Sequence, residues 1–373
     1  MAVLMVLATC AFSSAQNPEV IPAKYRKIQK YLNKATAKKL VGVSIYINHP
    51  KYGKWIGTSG FADLDQNIPL GQEHVFSMAS IGKMYTAVAT LKLAEQGKIS
   101  LDDTIADYLP ASISENLPNA EKITIRHLLG QTSGYVNYDR DSELNELYIS
   151  GKLKLDTISH QEILRRYVYG KNVQNQPGEE YHYSSTNYML LAMVLDSVVS
   201  DHTTFLRSEI IKRFGFENTY YKQTPENETL RYYGDLNQDG ISEDLSDQTL
   251  ETTNWFIGDD GVYATIEDAA CFLEDLMKGR ILNEKYLMQM KTWNDNKSPD
   301  YGYGLMADKG FPYKFLMGHS GRGIGTTTDL YYFPNQDITL AIFSNSGIRA
   351  ASYDFAKVYN NMRTRIVKKL FLF

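Results

Sequence analysis

Cysteine is scarce in this 373-residue chain, which contains only Cys10 and Cys271. A fold held together by several disulfide bonds and a metal cluster bound by cysteines are therefore both excluded. The sequence also has no His-Glu-x-x-His pattern, and no glycine-rich phosphate loop follows a predicted strand. These absences give no reason to expect a catalytic metal, and we predict that the protein works without a cofactor.

Long runs of one charge sign are absent as well. Lys and Arg number 39 against 43 Asp and Glu, which gives a net charge of −4 and an isoelectric point near 6.0. A basic nucleic-acid-binding surface is therefore not expected. With 27 Tyr, only 11 Pro and 43% hydrophobic residues, the composition is that of a folded protein. The length favours two structural units or one composite domain. We predict a monomer whose partner is a small molecule or a peptide, which could derive from the cell wall.

No stretch after the N-terminus is long and apolar enough to span a membrane as a helix. Residues 2–12 are apolar but too short for a span, and small residues typical of a signal-peptidase site follow them. We therefore predict a signal peptide over residues 1–15 and export to a bacterial periplasm or the cell exterior. However, no basic residue precedes Lys24, whereas a signal peptide normally begins with a positively charged segment. Lipoprotein anchoring at Cys10 is disfavoured by the threonine before it, and a buried N-terminal strand is the remaining alternative.

Hydrophobic periodicity predicts strands at both ends of the chain and helices between them. The predicted strands are residues 41–47, 54–59, 328–333 and 338–345, of which the first two form a hairpin. The predicted helices are residues 84–97, 125–129 after a Thr124 cap, 188–199 and 264–277. This order favours one sheet built from both termini, with a helical unit inserted between its halves.

A candidate nucleophile lies at the start of the first of these helices, in Ser80-Ile81-Gly82-Lys83. Ser and Lys three residues apart lie one turn apart on a helix face, so the lysine ammonium can reach the serine hydroxyl. A serine alcohol needs such a neighbour, because alone it is a weak nucleophile. Ser80 is the only serine in the chain with Lys three residues on. By itself, however, such a tetrapeptide is more often an N-cap serine followed by a surface lysine.

Three further segments give this tetrapeptide a context. They are the stretch 123–134, Tyr183-Ser184-Ser185 and His319-Ser320-Gly321. In order and in separation, the four segments resemble the serine β-lactamase and D-Ala-D-Ala carboxypeptidase superfamily. The similarity is greatest to its class C-like branch, which also holds D-aminopeptidases and family VIII esterases. The resemblance runs from about residue 25 to about residue 345.

The resemblance implies an α/β fold in which an antiparallel sheet is flanked by helices. The sheet unit would comprise residues 17–77 and 255–373, and a mostly helical unit would comprise residues 78–254, with the site in the cleft between them. The implied reaction is acyl transfer through an acyl-enzyme. The implied catalytic residues are Ser80 as nucleophile, Lys83 as its cationic neighbour, Tyr183 as the group that takes the Ser80 proton, and His319. The implied substrate-binding residues are Ser185, Ser320, Gly321 and Arg322.

The backbone N–H groups of Ser80 and Arg322 would form the oxyanion hole, and Gly321 would let the substrate backbone approach closely. The Arg322 side chain is a candidate anchor for a substrate carboxylate. Arg349 is another, although a solvated surface arginine is the more frequent role for such a residue. Ordinary packing is the alternative role for Tyr183, and a structural role is the alternative for His319.

Three positions depart from the family pattern. Gln131 stands where a histidine is frequent, and Ser185 stands where the family has the Asn of Tyr-x-Asn. A hydroxyl replaces one hydrogen bond of an amide but not its donor–acceptor pair, and Asn187 should face elsewhere on the helix. At position 319, β-lactamases of this branch carry Lys, whereas His is typical of the D-peptidases and esterases. We therefore expect a simple activated ester to be a better substrate than a cephalosporin. We also expect His319 to titrate between about pH 5 and 8.

Asp235-Leu236-Asn237-Gln238-Asp239-Gly240-Ile241 matches the first seven positions of a calcium loop. The twelfth position is Ser246 and not the usual Glu. An Asx-rich turn is therefore favoured over a calcium site, and we predict no metal ligands.

The sequence as a whole predicts a serine hydrolase of this superfamily that acts on an amide or ester, either a D-amino-acid peptide or a carboxylic ester. A β-lactamase is one alternative. A substrate-recognising envelope protein that kept the fold without catalysis is another.

Overall fold

The computed structural model describes residues 21–152, 154–226, 228–294, 300–310, 312–348 and 353–371. The predicted signal peptide, Cys10 and Arg349 lie outside these residues, so the predictions about them stay predictions.

Helices and strands alternate along the described chain. The helices are α1 (Ala23–Thr36), α2 (Gly82–Glu95), α3 (Ala111–Ser114), α4 (Ile125–Leu129), α5 (Ser142–Ile149), α6 (His160–Tyr167), α7 (Ser185–Val199), α8 (His202–Phe205), α9 (Ser246–Trp255), α10 (Ile266–Met277), α11 (Glu284–Met290) and α12 (Tyr353–Phe371). The strands are β1 (Gly42–His49), β2 (Gly53–Asp63), β3 (Ile68–Pro69), β4 (Val75–Ser77), β5 (Thr219–Tyr221), β6 (Tyr233–Gly234), β7 (Glu243–Asp244), β8 (Val262–Thr265), β9 (Asp300–Tyr301), β10 (Met306–Asp308), β11 (Leu316–Arg322), β12 (Thr327–Phe333) and β13 (Ile338–Ser344). Short 3₁₀ helices lie at Ala79–Ile81, Ile105–Asp107, Tyr138–Arg140 and Leu155–Thr157, and a π-helical stretch at Leu206–Lys212.

The main sheet has eight strands in the order β3-β2-β1-β13-β12-β11-β10-β9. At its centre β1 and β13, which come from opposite ends of the chain, pair antiparallel with Ile45 opposite Ile342. β1 and β2 form the predicted hairpin, with Ile45 opposite Gly57. The predicted α/β fold with an antiparallel sheet built from both ends of the chain is therefore confirmed.

Both faces of the central strands are buried, because alternate side chains point to opposite sides. Ile45 and Ile342 pack in one core with residues of α1 and α12, such as Leu32 and Ile366. Their neighbours Tyr46, Ala341 and Phe343 pack in a second core, which continues into α10 and the helices between the two halves of the sheet. The sheet therefore lies between two helical layers.

The inserted helices centre on α2 and α7, which contact each other. Every residue of α2 except Lys92 and Glu95 is buried, as expected of a helix that is apolar on all sides. α4 begins where predicted, since the Thr124 side chain accepts the His127 N–H. Within the described residues no single helix combines the length and hydropathy of a membrane span, and the pair that does so together, Ser185–Val199 with His202–Lys212, is bent by 88°.

One predicted helix was wrong at its start. Residues 262–265 form β8, the middle strand of a small sheet with the order β4-β8-β5, in which Phe76 lies opposite Ala264. α10 begins only at Ile266, where Thr265 caps it by accepting the Asp268 N–H. The tertiary pairing of Ala264 on both of its sides overrides its local helix preference. This small sheet ties the segment before Ser80 to the segment after α9.

Candidate active site

The turn that carries Ser80 is held between the two sheets. Met78 N–H donates to Val262 O at 2.9 Å in the small sheet. From the main sheet, Thr326 Oγ1 donates to Ser77 O at 2.9 Å and Thr328 Oγ1 donates to Met78 O at 3.0 Å. Ala79 then adopts a left-handed conformation with φ of 47°. Such strain in a residue other than glycine persists only where the surroundings impose it, and it is common next to functional residues.

Lys83 lies one turn after Ser80 and is fully buried. Its ammonium Nζ donates to Ser80 Oγ, Ser185 Oγ and Asp259 O, each at 3.2 Å. The Asp259 carboxylate Oδ2 is 3.6 Å away. Burial by itself lowers the pKa of Lys83, but the interactions with Tyr183 and Asp259 outweigh it and raise the pKa above its usual value. The lysine is therefore a fixed cation beside the serine hydroxyl.

Tyr183 faces this ammonium, with its ring centroid 5.2 Å from Lys83 Nζ. A buried amide fixes its segment, because Gln131 Oε1 accepts the Ser184 N–H at 2.9 Å. The same oxygen accepts from Asn187 Nδ2 at 2.6 Å. Asn187 therefore points to Gln131 and not to Lys83, as the helical spacing predicts. Ser185 begins α7, and its hydroxyl accepts from Lys83.

His319 lies in β11 beside Tyr183, with ring centroids 6.2 Å apart. Its Nδ1–H donates to Ser320 O at 2.7 Å, which leaves Nε2, 3.3 Å from the Tyr301 hydroxyl, as an acceptor. Full burial, followed by the charge of Lys83, lowers the pKa of His319 to about 3. The imidazole is therefore neutral, and the titration expected between pH 5 and 8 is wrong. Sequence reasoning could not predict this lowered pKa, because desolvation depends on the tertiary environment.

β11 lies directly against the Ser80 turn at Gly321. A Cβ atom at this glycine would lie 2.2 Å from Met78 O and 2.3 Å from Thr328 Oγ1. β10 pairs with residues 316–318 of β11, so the stretch from His319 to Arg322 extends beyond it. Ser320 is half-buried on this stretch.

The Arg322 side chain does not serve as an open anchor for a substrate carboxylate. Its Nη2 donates to the buried carboxylate of Asp329 at 2.8 Å, and its Nη1 donates to Gly321 O and Thr328 O, both at 2.7 Å. The guanidinium also stacks on Tyr359 of α12, with its carbon 5.6 Å from the ring centroid. The cation of Arg322 is therefore committed to the fold, which corrects its expected role as a carboxylate anchor.

The four residues predicted to be catalytic span 240 positions of sequence and are neighbours in the folded chain. A profile of the Beta-lactamase family matches residues 28–359 of the chain. The chain belongs to the Beta-lactamase family. The predicted superfamily is therefore confirmed, and it is a family of serine hydrolases.

Two curated relatives show how far this similarity extends. Protein flp of Staphylococcus aureus (strain NCTC 8325 / PS 47) is 30% identical over 166 residues, which cover 44% of this chain and 32% of flp. Penicillin-binding protein 4* of Bacillus subtilis (strain 168) is 25% identical over 306 residues, which cover 77% of this chain and 64% of that protein. The matched regions span about a third of the first relative and less than two thirds of the second.

A solved structure is similar over nearly the whole chain. The D-amino acid amidase from Ochrobactrum anthropi SV3, complexed with L-phenylalanine, superposes with a TM-score of 0.79 at 25% identity, covering 93% of this chain and 98% of the amidase. The arrangement of the main sheet and the inserted helices is therefore that of an amidase of known structure.

Sequence reasoning missed or underestimated two residues that contact the candidate site. Asp259 is 176 residues from Lys83 in the chain and carries no motif that the sequence analysis recognised. Gln131 was noted only as a departure, yet it holds the Tyr183 segment through Ser184. The sequence does not show whether a glutamine side chain is buried or exposed, so only the structure reveals this role.

The Asp235 loop uses its carboxylates within the turn. Gly240 N–H donates to Asp235 Oδ1 at 3.2 Å, and Ile241 N–H donates to Asp239 Oδ1 at 2.8 Å. Glu243 accepts the Leu236 N–H at 2.6 Å. These bonds are those of an Asx-rich turn, the arrangement that the sequence favoured over a calcium loop.

Proposed function

We propose that the protein is a serine hydrolase that cleaves a carboxylic ester or an amide, such as a D-amino-acid amide or peptide, through an acyl-enzyme on Ser80. The observation that carries this proposal is the fully buried ammonium of Lys83, 3.2 Å from Ser80 Oγ. Burying a cation is costly unless it is paired and hydrogen-bonded, and this cation is held against a serine hydroxyl that follows the strained residue Ala79.

In the proposed reaction, Tyr183 acts as a phenolate beside the Lys83 ammonium, and its oxygen takes the proton of Ser80 while Ser80 Oγ attacks the substrate carbonyl carbon. The Lys83 ammonium stabilises the negative charge of the Tyr183 oxygen before this transfer and the partial negative charge of Ser80 Oγ during it. The carbonyl electron pair moves onto the substrate oxygen and returns when the leaving group departs with the proton from Tyr183. Water then attacks the acyl carbon, with Tyr183 taking its proton, and Ser80 leaves with that proton restored.

The proposed oxyanion hole consists of the N–H groups of Ser80 and Arg322. Gly323 N–H donates to Thr326 O at 3.0 Å. In an antiparallel ladder hydrogen-bonded and open pairs alternate, so the Arg322 N–H turns away from β12 and towards the outer edge of β11. The close contact of Gly321 with Met78 brings this edge beside the Ser80 turn. Preorganised donors at this position stabilise the tetrahedral intermediate.

Substrate choice follows from the charges of the site. Arg322 is paired with Asp329 and His319 is neutral, so neither offers a cation to a substrate carboxylate. A cephalosporin carries a carboxylate, whereas a simple ester or an amino acid amide does not. The D-amino acid amidase acts, by its name, on amides of this kind. We therefore infer a preference for substrates without a carboxylate over β-lactams.

A fluorophosphonate probe tests the nucleophile directly. It should label the wild-type protein at Ser80, as peptide mass spectrometry would show, and Ser80→Ala should prevent labelling. The same substitution should lower kcat for p-nitrophenyl acetate by about 10³-fold or more. Hydrolysis of a D-amino acid amide and of a chromogenic cephalosporin, measured in parallel, ranks the substrates. Ser80→Ala with near-wild-type turnover would exclude this site as the source of activity.

A further inference from the structure

Asp259 is a buried carboxylate that shares its immediate surroundings with Lys83. Its side chain is only 6% exposed. Both its main-chain oxygen, at 3.2 Å, and its carboxylate, at 3.6 Å, face Lys83 Nζ. The Tyr138 hydroxyl donates to the other carboxylate oxygen at 3.1 Å. Burial raises the pKa of the Asp259 carboxyl, and the Lys83 ammonium together with the hydrogen bond from Tyr138 opposes this shift by favouring the charged form.

The backbone is shaped to bring Asp259 to this place. At Gly258, with φ of 76°, a Cβ atom would lie 2.0 Å from Tyr188 O. At Gly82, within the Ser80–Lys83 tetrapeptide, a Cβ atom would lie 2.9 Å from the Asp260 Cα. Both glycines therefore allow the turn of residues 258–261 to approach α2 and α7 more closely than any side chain would permit. The Gly258 N–H is held by the Tyr221 hydroxyl at 3.2 Å.

Ser185 connects the two charged groups. Its hydroxyl accepts from Lys83 at 3.2 Å, and its interaction with the Asp259 carboxyl lowers the pKa of that group. At this position an asparagine would offer the ammonium a longer side chain with a carbonyl oxygen. The serine is shorter, and the carboxylate behind it supplies the second acceptor and the negative charge. Ser185 and Asp259 together thus make the contacts with Lys83 that a single asparagine side chain would make from position 185.

On the basis of the proposed function, we propose that Asp259 is a positioning residue: through Ser185 and directly, it holds the Lys83 side chain as an ammonium pointed at Ser80. It follows that Lys83 acts as a permanent cation, and that the proton of Ser80 goes to Tyr183.

The groups that face Lys83 from the surrounding elements agree with this assignment. Tyr183, Asp259 and Asp139 act on it electrostatically in the direction that favours its charge. Asp260 also interacts with the ammonium, and the same burial and the neighbouring Asp259 raise its pKa to about 7. His319 is neutral and adds no opposing charge. Asp259 is the carboxylate in this set that reaches the ammonium within 4 Å.

Titration of Lys83 by NMR on ¹³C-lysine-labelled protein tests the assignment without relying on activity. The Lys83 resonance is identified by its loss in Lys83→Arg. In the wild type it should keep the chemical shift of an ammonium up to pH 10. In Asp259→Asn, and in the smaller Asp259→Ser, burial is no longer opposed by the carboxylate, so the resonance should titrate at least one pH unit earlier than in the wild type.

Asp268→Asn is the matched control, because Asp268 is a half-buried carboxylate that accepts a backbone N–H, that of Asn218 at 2.7 Å, but lies in the first turn of α10, away from Lys83. It should leave the Lys83 titration unchanged. An unchanged Lys83 titration in both Asp259 variants would overturn the proposal.

Kinetics separates positioning from a merely structural role. With p-nitrophenyl acetate, Asp259→Asn should lower kcat/KM at pH 7 by about 10-fold to 100-fold. The alkaline limb of the pH profile of the variant should also lie at lower pH than that of the wild type. Adding Ser185→Asn to Asp259→Ser should recover at least half of the lost activity in logarithmic terms, because the amide restores the acceptor.

Lower melting temperature with an unaltered pH profile and no recovery would show that Asp259 is structural. If Lys83 shifts as expected but wild-type Ser80 is neither labelled nor active, the proposed function fails while the Asp259–Lys83 assignment stands.

Discussion

At the scale of single residues, the site holds its charges in pairs. Lys83 is paired with Asp259, and Arg322 is paired with Asp329. His319 completes the set as a neutral ring that donates through Nδ1. With each cation matched by a buried carboxylate, the field that a substrate meets is weak, which suits an uncharged acyl group better than an anionic one.

The neutral state of His319 gives a prediction for both activity and stability. Because the folded protein holds this pKa near 3 while an unfolded chain has about 6.5, the unfolded state binds the proton first as the pH falls. His319 should therefore cost stability between about pH 6.5 and 3, by up to about 1.4 kcal/mol per pH unit. In His319→Gln, urea unfolding should show a shallower loss of stability over this range. For a neutral ester, the kcat/KM of the wild type should show no histidine inflection near pH 6.5. The pH profiles of wild type and variant should therefore have the same shape in this range. A histidine inflection that disappears in His319→Gln would contradict the neutral assignment.

At the scale of elements, the decisive contact is that of β11 with the turn before α2. Thr326, directly before β12, and Thr328 of β12 donate to the carbonyls of Ser77 and Met78, and Gly321 of β11 lies against Met78 O and the Thr328 hydroxyl. Strand and turn are therefore positioned together, so that the nucleophile and the proposed oxyanion donors keep one geometry. This arrangement explains why a glycine is needed in β11 although its φ is not left-handed.

Gly321→Ala should disturb this contact. The new methyl group would meet backbone and hydroxyl oxygens at 2.2 and 2.3 Å, so β11 must move away from the Ser80 turn. A displacement of about 1 Å at a catalytic geometry costs about 100-fold, and kcat/KM for an ester should fall by that order. Gly323→Ala is the control, because its nearest atom is a threonine methyl carbon at 2.8 Å and Ala79 Cβ is 3.8 Å away. Equal losses in the two variants would indicate general disruption of the strand.

At the scale of the whole molecule, the terminal helix supports the active site through Asp329. This buried carboxylate of β12 accepts from Arg322 of β11, and from Tyr359 and Arg363 of α12, at 2.8, 2.9 and 3.3 Å. Burial alone would raise the pKa of Asp329, but the two arginines outweigh it and lower the pKa. The helical layer on one face of the sheet is thus connected to β11, the strand that carries His319 and lies against the Ser80 turn.

Asp329→Asn should therefore destabilise the protein by about 3 kcal/mol at neutral pH, since it leaves two partly buried arginines without their carboxylate. A carboxylate with a lowered pKa stabilises above the unfolded value of about 3.9, and its contribution is lost as the pH falls through the folded value. The difference between variant and wild type should accordingly shrink below about pH 4 in urea unfolding. Glu162→Gln, which breaks the exposed pairs with Arg165 and Arg166, should change stability little. A loss for Asp329→Asn no larger than that of the control would contradict the role of Asp329.

Much of the fold was accessible from local pattern. Strong period-two runs at residues 41–47 and 338–345 and the apolar helix at 188–199 are all present in the structure. Ala264 and Thr265 are the exception. The residues that follow them in sequence favour a helix, but these two belong to β8 because β4 and β5 pair with it on both sides. The site residues were found through motifs whose chemistry depends on short spacings, such as Ser80 with Lys83. Asp259 and Asp329 escaped notice because their roles depend on partners far away in sequence.

The sequence by itself determined the family, the two-ended sheet and the residues of the candidate site, because these follow from hydrophobic period, from short motifs and from the resemblance that the motifs carry. Only the tertiary structure decided the state of those residues. Burial made His319 neutral, Asp329 engaged the charge of Arg322, and Asp259 gave Lys83 a partner that no motif announces. The physical reason is that charge and protonation follow desolvation and neighbours within a few ångströms, which arise only when distant segments fold together.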